Sequence, residues 1–282
     1  MALVKYWINA GFLEVDQLVP VARAAERLGY EGVTLPDHLF FPALIESSYP
    51  YSTDGQLTWP PDAPWPDCWV AIAAMAQATE RLRFGTSVYI GPLRDVVSLA
   101  KAVGTAAALA PGRIMCGLGA GWLREEFDPV GQDFDSRGKR MDEMIAVLPQ
   151  LWSGADVEYH GDQIDLPLLR MRPPAGPVPI LIGGNTKPAL RRAASADGWI
   201  ASFTDTGDLA RMLDEYAEER DRQGTAGRAS EVLVTATPGI AKHADALAGL
   251  GVHGVIVPAV TLATTATTDD IIGGMERYVA RW

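Results

Sequence analysis

Eight short apolar runs, each followed by a stretch whose apolar residues recur at helical spacing, frame this 282-residue chain. The runs fall at 2–9, 32–35, 82–90, 113–118, 179–182, 198–202, 231–236 and 254–257. The helical stretches fall at 15–28, 67–79, 96–109, 137–152, 187–195, 206–222, 241–250 and 269–281. Apolar runs this short, without polar alternation, suit strands buried on both faces. Strands that alternate with helices pair in parallel, because each crossover returns the chain to the same end of the sheet. Eight such units close into a (β/α)8 barrel, for which about 250 residues is the usual size. The expected fold class is therefore α/β: a TIM barrel with insertions after strand 2 and before strand 5, as one domain over residues 1–282.

The insertions stand out by length. Residues 36–66 follow the second strand and are rich in Pro, Tyr and Ser. A loop that long in a compact domain is usually functional. Residues 156–177 precede the fifth strand and read as a surface excursion with a short hairpin.

Bulk properties narrow the function. A net charge of −11 argues against a nucleic-acid partner, which phosphate neutralisation would require to be basic. The two cysteines, Cys68 and Cys116, form no CxxC pair, which suits a reducing compartment. The start, MALVKYWINAGF, lacks the pattern of a signal peptide. No apolar run reaches the roughly 18 residues of a membrane span. A cytoplasmic chain acting on a small-molecule substrate, with no membrane and no nucleic acid, is expected. No HxH or HExxH spacing occurs, so no metal is expected.

Three sites fall at the C-terminal ends of strands, where barrel enzymes keep their chemistry. In GRIMCGLGAGW at 112–122 the glycines follow the fourth strand with the spacing GLGAGW. A dinucleotide fingerprint would be GxGxxG after the first strand, with an acidic residue ending the next one. That pattern is not met. Gly119, Ala120, Gly121 and Trp122 read instead as a loop letting backbone lie close to a flat ligand, a tight turn being the plainer alternative. Gly183-Gly184-Asn185-Thr186-Lys187-Pro188 ends the fifth strand and opens a helix that Thr186 or Asn185 can cap. Amides at such a terminus bind phosphate; a capped helix with nothing bound is the alternative. His38 ends the second strand beside Asp37, which could orient it. The pairs Glu125-Glu126 and Asp142-Glu143 read as solvated helix faces, and 137–140 as a surface helix start. His160, His243 and His253 show no obvious partners in the sequence.

Taken in order, AERLGYEGVTLPDH (25–38), SSYPYSTDG (47–55), ERLRFGTSV (80–88), GRIMCGLGAGWLREEF (112–127) and PILIGGNTKPALRRAASADGWI (179–200) resemble the luciferase-like monooxygenase superfamily. The closest branch is the one using the deazaflavin coenzyme F420. The resemblance implies a TIM barrel with the cofactor ring at its C-terminal mouth. It implies a non-prolyl cis peptide at Ser87–Val88, against that ring. Cofactor phosphate would fall on Gly183, Gly184, Asn185, Thr186 and Lys187, and Gly119 to Trp122 would wall the ring. His38 matches the active-site histidine, and a homodimer is a common assembly. The sugar-phosphate dehydrogenase branch carries an acid where this chain has Ala120-Gly121-Trp122, which argues against that substrate. The resulting expectation is hydride transfer between F420 and a small organic substrate. His38 serves as proton donor or acceptor, and Tyr49, Tyr51, Trp59 and Trp65 as an apolar lid. The alternatives are a reduced-FMN monooxygenase of the same fold and a non-catalytic flavin-binding protein.

Overall fold

The computed structural model describes residues 4–52, 54–57, 59–202, 206–237 and 244–280. In chain order its strands are β1 (Lys5–Asn9), β2 (Gly32–Leu35), β3 (Arg83–Thr86), β4 (Tyr89–Ile90), β5 (Ile114–Gly119), β6 (Asp156–His160), β7 (Asp165–Arg170), β8 (Ile180–Gly183), β9 (Gly198–Ala201), β10 (Glu231–Thr235) and β11 (Gly254–Pro258). The helices are α1 (Val15–Leu28), α2 (Cys68–Gln77), α3 (Val96–Leu109), α4 (Arg137–Trp152), α5 (Lys187–Ser195), α6 (Thr206–Arg222), α7 (Ala244–Gly249) and α8 (Thr268–Val279).

One sheet runs β3-β2-β1-β11-β10-β9-β8-β5-β4, and a further β3–β5 pairing closes it. Every pair in it is parallel. β3 and β4 are one stave, interrupted at the cis Ser87–Val88 peptide, so eight staves form the expected barrel. The interruption explains why the single run predicted at 82–90 appears as two strands. The excursion before β8 is the antiparallel β6–β7 hairpin. Residues 2–3, 241–243 and 281, expected in strand or helix, lie outside the described residues.

Alternation along the staves separates two cores. Outward residues such as Ile8, Val33, Phe84 and Ile182 join the large core under the helices. Inward residues Trp7, Met115, Leu181, Ile200, Leu233 and Ile256 form a separate cluster on the barrel axis. β2 and β3 supply glycines there. A side chain on Gly32 would strike the Trp7 ring, and one on Gly85 would strike Met115. Two large side chains thus use the space that two staves leave free.

The two ends of the barrel differ. At the N-terminal end Arg83 bonds Glu231 at 2.9 Å through two nitrogens, reaches Glu31 at 3.2 Å, and lies over the Trp7 ring. Burial alone would lower its basicity, but the two carboxylates reverse that and hold the guanidinium charged. The C-terminal end carries the His38 group.

Gly117 faces inward where a Cβ would fall on the Thr86 carbonyl, which is backbone. Gly117→Ala is expected to cost about 3 kcal/mol, the upper end of the range for overpacking a filled interior. Gly227→Ala, with open space around it, is expected to shift stability by under about 0.5 kcal/mol. Urea unfolding of both variants reads the difference as a change in midpoint at constant slope.

Candidate active site

His38 follows β2 directly and so reaches the C-terminal mouth. The long loop and the turn after β5 enclose it. Its imidazole lies 4.6 Å from the Trp65 ring, 5.5 Å from Trp59 and 6.0 Å from Trp122, centroid to centroid. Tyr49 completes the group, 5.0 Å from Trp59 and 5.2 Å from Trp122. Phe12 meets both Trp59 and Trp65. Of the expected aromatic lid residues, Trp59 and Trp65 therefore lie against each other and against the histidine, and Tyr49 joins them through Trp59. Tyr51 sits at their edge, against Tyr49 and the Ser202 hydroxyl. Burial pushes the Tyr49 hydroxyl up to about 12, so it stays a neutral donor.

The partner of His38 is Glu126. Its Oε2 lies 2.8 Å from His38 Nδ1, and its Oε1 accepts the Leu39 amide at 2.6 Å. The Glu126 side chain is fully buried, and that of His38 is 9% exposed. This corrects the solvated reading of Glu125-Glu126. Both carboxylates face the loop instead. Glu125 accepts the amides of Glu46 and Ser47 at 2.6 and 3.0 Å and the Ser47 hydroxyl at 2.7 Å.

Asp37 turns the other way. Arg94 binds its two oxygens at 2.5 and 2.8 Å, and the Ile90 amide donates to it at 2.9 Å. Burial holds its carboxyl above the ordinary value, and Arg94 offsets only part of that rise. Its oxygens go to Arg94 and Ile90, and the carboxylate that contacts the His38 ring belongs to Glu126.

The residues assigned to the cofactor gather around the same mouth. Ser87 Oγ lies 2.9 Å from Asn9 Nδ2 and donates to Thr34 Oγ1 at 3.0 Å, joining three stave ends. Val88 caps the axial cluster. Side chains on Gly119 or Gly183 would fall on its methyl groups, so both neighbours need to be glycine. Ala120 is half-buried, and Gly121 has φ +84° with its carbonyl accepting Arg137 Nε at 3.0 Å. Arg137 also stacks on Phe134, which corrects the reading of 137–140 as plain surface. Gly184 has φ +113° and its carbonyl accepts the Trp199 indole at 2.8 Å. Asn185 spends its side chain on the Ser202 backbone, at 2.6 and 3.0 Å. Thr186 caps α5 by accepting the Ala189 amide, and Lys187 is exposed. Arg192 is engaged by Asp142 at 2.6 Å. His160 bonds Asp165 on the exposed hairpin, and His253 accepts the Val232 amide. His243 lies outside the described residues.

This mouth, with a histidine and a fixed carboxylate beside a row of glycine-bearing stave ends, can be compared with known proteins. The family model of the luciferase-like monooxygenases matches residues 6–274. The chain belongs to that family. It is a luciferase-like oxidoreductase, and no described helix is long and apolar enough to cross a membrane. An uncharacterised protein of Mycobacterium tuberculosis is 36% identical over 256 residues, 90% of this chain and 84% of that one. The F420-dependent hydroxymycolic acid dehydrogenase of the same organism is 30% identical over 229 residues, 77% of this chain and 58% of that longer one. An F420-dependent secondary alcohol dehydrogenase, solved with an F420–acetone adduct, superposes with a TM-score of 0.78 at 15% identity. It covers 99% of this chain and 98% of its own, which speaks to the fold.

The Glu125 contacts generate a pH prediction for the loop. Burial alone would raise this carboxyl, but the Ser47 hydroxyl and the neighbouring amides outweigh it and hold it below its ordinary value. The folded chain therefore binds that proton more weakly than the unfolded chain. The contribution is complete above the unfolded value of about 4.3 and fades as pH falls through the lower folded value. Hydrogen exchange corrected for intrinsic rates is expected to show the Glu46 and Ser47 amides losing protection between about pH 5 and about pH 3. The β5 amides serve as reference. In Glu125→Ala the loss should already be present at neutral pH.

Proposed function

We propose that this chain transfers a hydride between coenzyme F420 and a small organic substrate, with His38 giving or taking the accompanying proton. The observation that carries this reading is the His38 imidazole at the barrel mouth, its Nδ1 on a buried carboxylate and its ring walled by three tryptophans. An imidazole can serve as either the acid or the base in a proton transfer. Its aromatic walls exclude water.

The residues present fit a flat cofactor ring with a phosphate tail. For the ring, the mouth offers Val88, which caps the axial cluster and is held between Gly119 and Gly183, whose missing Cβ atoms make room for its methyl groups. The Gly184 amide is taken by the Ile200 carbonyl at 3.2 Å, so the amides that lead into α5 at Asn185, Thr186 and Lys187 are the ones a phosphate would use, helped by the helix dipole. With its side chain engaged by Ser202, Asn185 contributes through its backbone, and the exposed Lys187 adds a mobile charge. When bound, F420 supplies a ring carbon that carries hydride and reacts poorly with oxygen.

The choice of F420 is supported by the dehydrogenase relative at 30% identity, whose own cofactor it is. The loop Ala120-Gly121-Trp122 sets a tryptophan beside His38 and offers no acid, which speaks against a sugar phosphate as substrate.

Tryptophan fluorescence is the direct test, because Trp59, Trp65 and Trp122 line the mouth. Titration with F420 is expected to quench emission at lower concentration than titration with FMN. The reverse order would move the chain to the oxygen-using flavin branch, and no quenching with either would end the proposal. In a chain that binds F420, His38→Ala is expected to keep affinity within about threefold and to lower turnover by about 10²–10⁴-fold.

A further inference from the structure

Glu126 is buried completely, yet both its oxygens have work. Oε1 accepts the Leu39 amide at 2.6 Å and Oε2 meets His38 Nδ1 at 2.8 Å. An ionised carboxylate only accepts hydrogen bonds, so the hydrogen between it and a neutral ring must belong to Nδ1. The Leu39 amide holds the carboxylate one residue from the histidine it orients. No other hydrogen bond to the His38 ring occurs among the described residues.

We propose that Glu126 is the positioning residue for His38: it holds the neutral ring as the Nδ1–H tautomer, so that Nε2 presents its lone pair to the substrate, and it supports the imidazolium that forms on proton transfer. This rests on His38 being the proton carrier. With F420 bound, the cofactor would supply the hydride acceptor or donor, and His38 Nε2 would take the substrate's proton on oxidation. On reduction His38 Nε2 would return that proton. In either direction Glu126 keeps its charge and exchanges no proton, as the orienting carboxylate of a serine-protease triad does. Without it the ring is free to turn or to adopt the other tautomer, in which Nε2 carries hydrogen and cannot act as base.

Glu126→Gln separates this role from a structural one. Its carbonyl oxygen can still accept the Leu39 amide, so the root of the loop is retained. Its amide group then faces Nδ1 as a donor and requires a bare nitrogen there. Nitrogen NMR of histidine-labelled, ligand-free protein, with His38 assigned through His38→Gln, reads which ring nitrogen carries hydrogen at a pH where the ring is neutral. The expected result is Nδ1–H in the native chain and Nε2–H in Glu126→Gln. An Nε2–H tautomer in the native chain, or the same tautomer in both, overturns the proposal.

The second readout is turnover with F420. Glu126→Gln is expected to lower kcat by about 10²-fold or more with KM within about threefold. Native turnover alongside a switched tautomer would also overturn the proposal. The NMR measurement needs no cofactor. It therefore decides the role of Glu126 even if the F420 titration fails, and that failure would count against the proposed function alone.

Discussion

A carboxylate without solvent contact needs hydrogen-bond donors on its oxygens, because an unpaired buried charge costs several kcal/mol. Glu126 finds both donors at the root of the long loop, in the His38 ring and the Leu39 amide. The turn after β5 and the exit from β2 therefore determine each other's position, although 88 residues separate Glu126 from His38. Glu125 extends the tie to residues 46–47, and the Arg124 amide adds a bond to Ser47 Oγ. Three successive residues thus fasten a loop that has no strand or helix among its described residues. Trp122, just before them, is in place to meet Tyr49 and Trp59.

The barrel makes this arrangement rigid. Its axis is filled by Trp7 and five other large side chains, and its N-terminal end is braced by the Arg83 ion pairs. The mouth is built differently. There the stave ends carry glycine (Gly119, Gly183) or small polar groups (Asn9, Thr34, Ser87) rather than bulky side chains. These small groups sit at the top of a filled axis, and the packed core below them resists deformation.

The architecture was legible in the sequence because it is written locally. Each stave is a short apolar run, and its boundaries are marked by capping residues such as Asp67, Asp95 and Thr186 or by turn glycines such as Gly29 and Gly112. His38 was legible for the same reason, since a strand end in a parallel barrel has only one face to open on. Glu126 was not. Two adjacent acidic residues after a glycine loop look like solvent-facing charge, and only the closed barrel brings one of them to a histidine from another stave. The signal that could have found it is weak: a buried Phe127 follows, so the turn at 124–126 has to lie against the core.

Asp37 shows why sequence adjacency misleads at a strand end. Consecutive residues of an extended chain point to opposite faces. If one of the pair Asp37-His38 looks into the mouth, the other looks away from it. His38 meets the tryptophans, and Asp37 meets Arg94 and the Ile90 amide, pinning the stretch that follows the Ser87–Val88 break. The orienting carboxylate for such a histidine has to come from a neighbouring element, because the residue beside it faces elsewhere. Here the carboxylate on the ring comes from the turn leaving β5, which carries Gly119 and Gly121 as well. The glycine loop, the loop anchors Arg124 and Glu125, and the carboxylate on the His38 ring thus share one stretch of backbone, Gly119–Glu126, so a shift in any one of them displaces the other two.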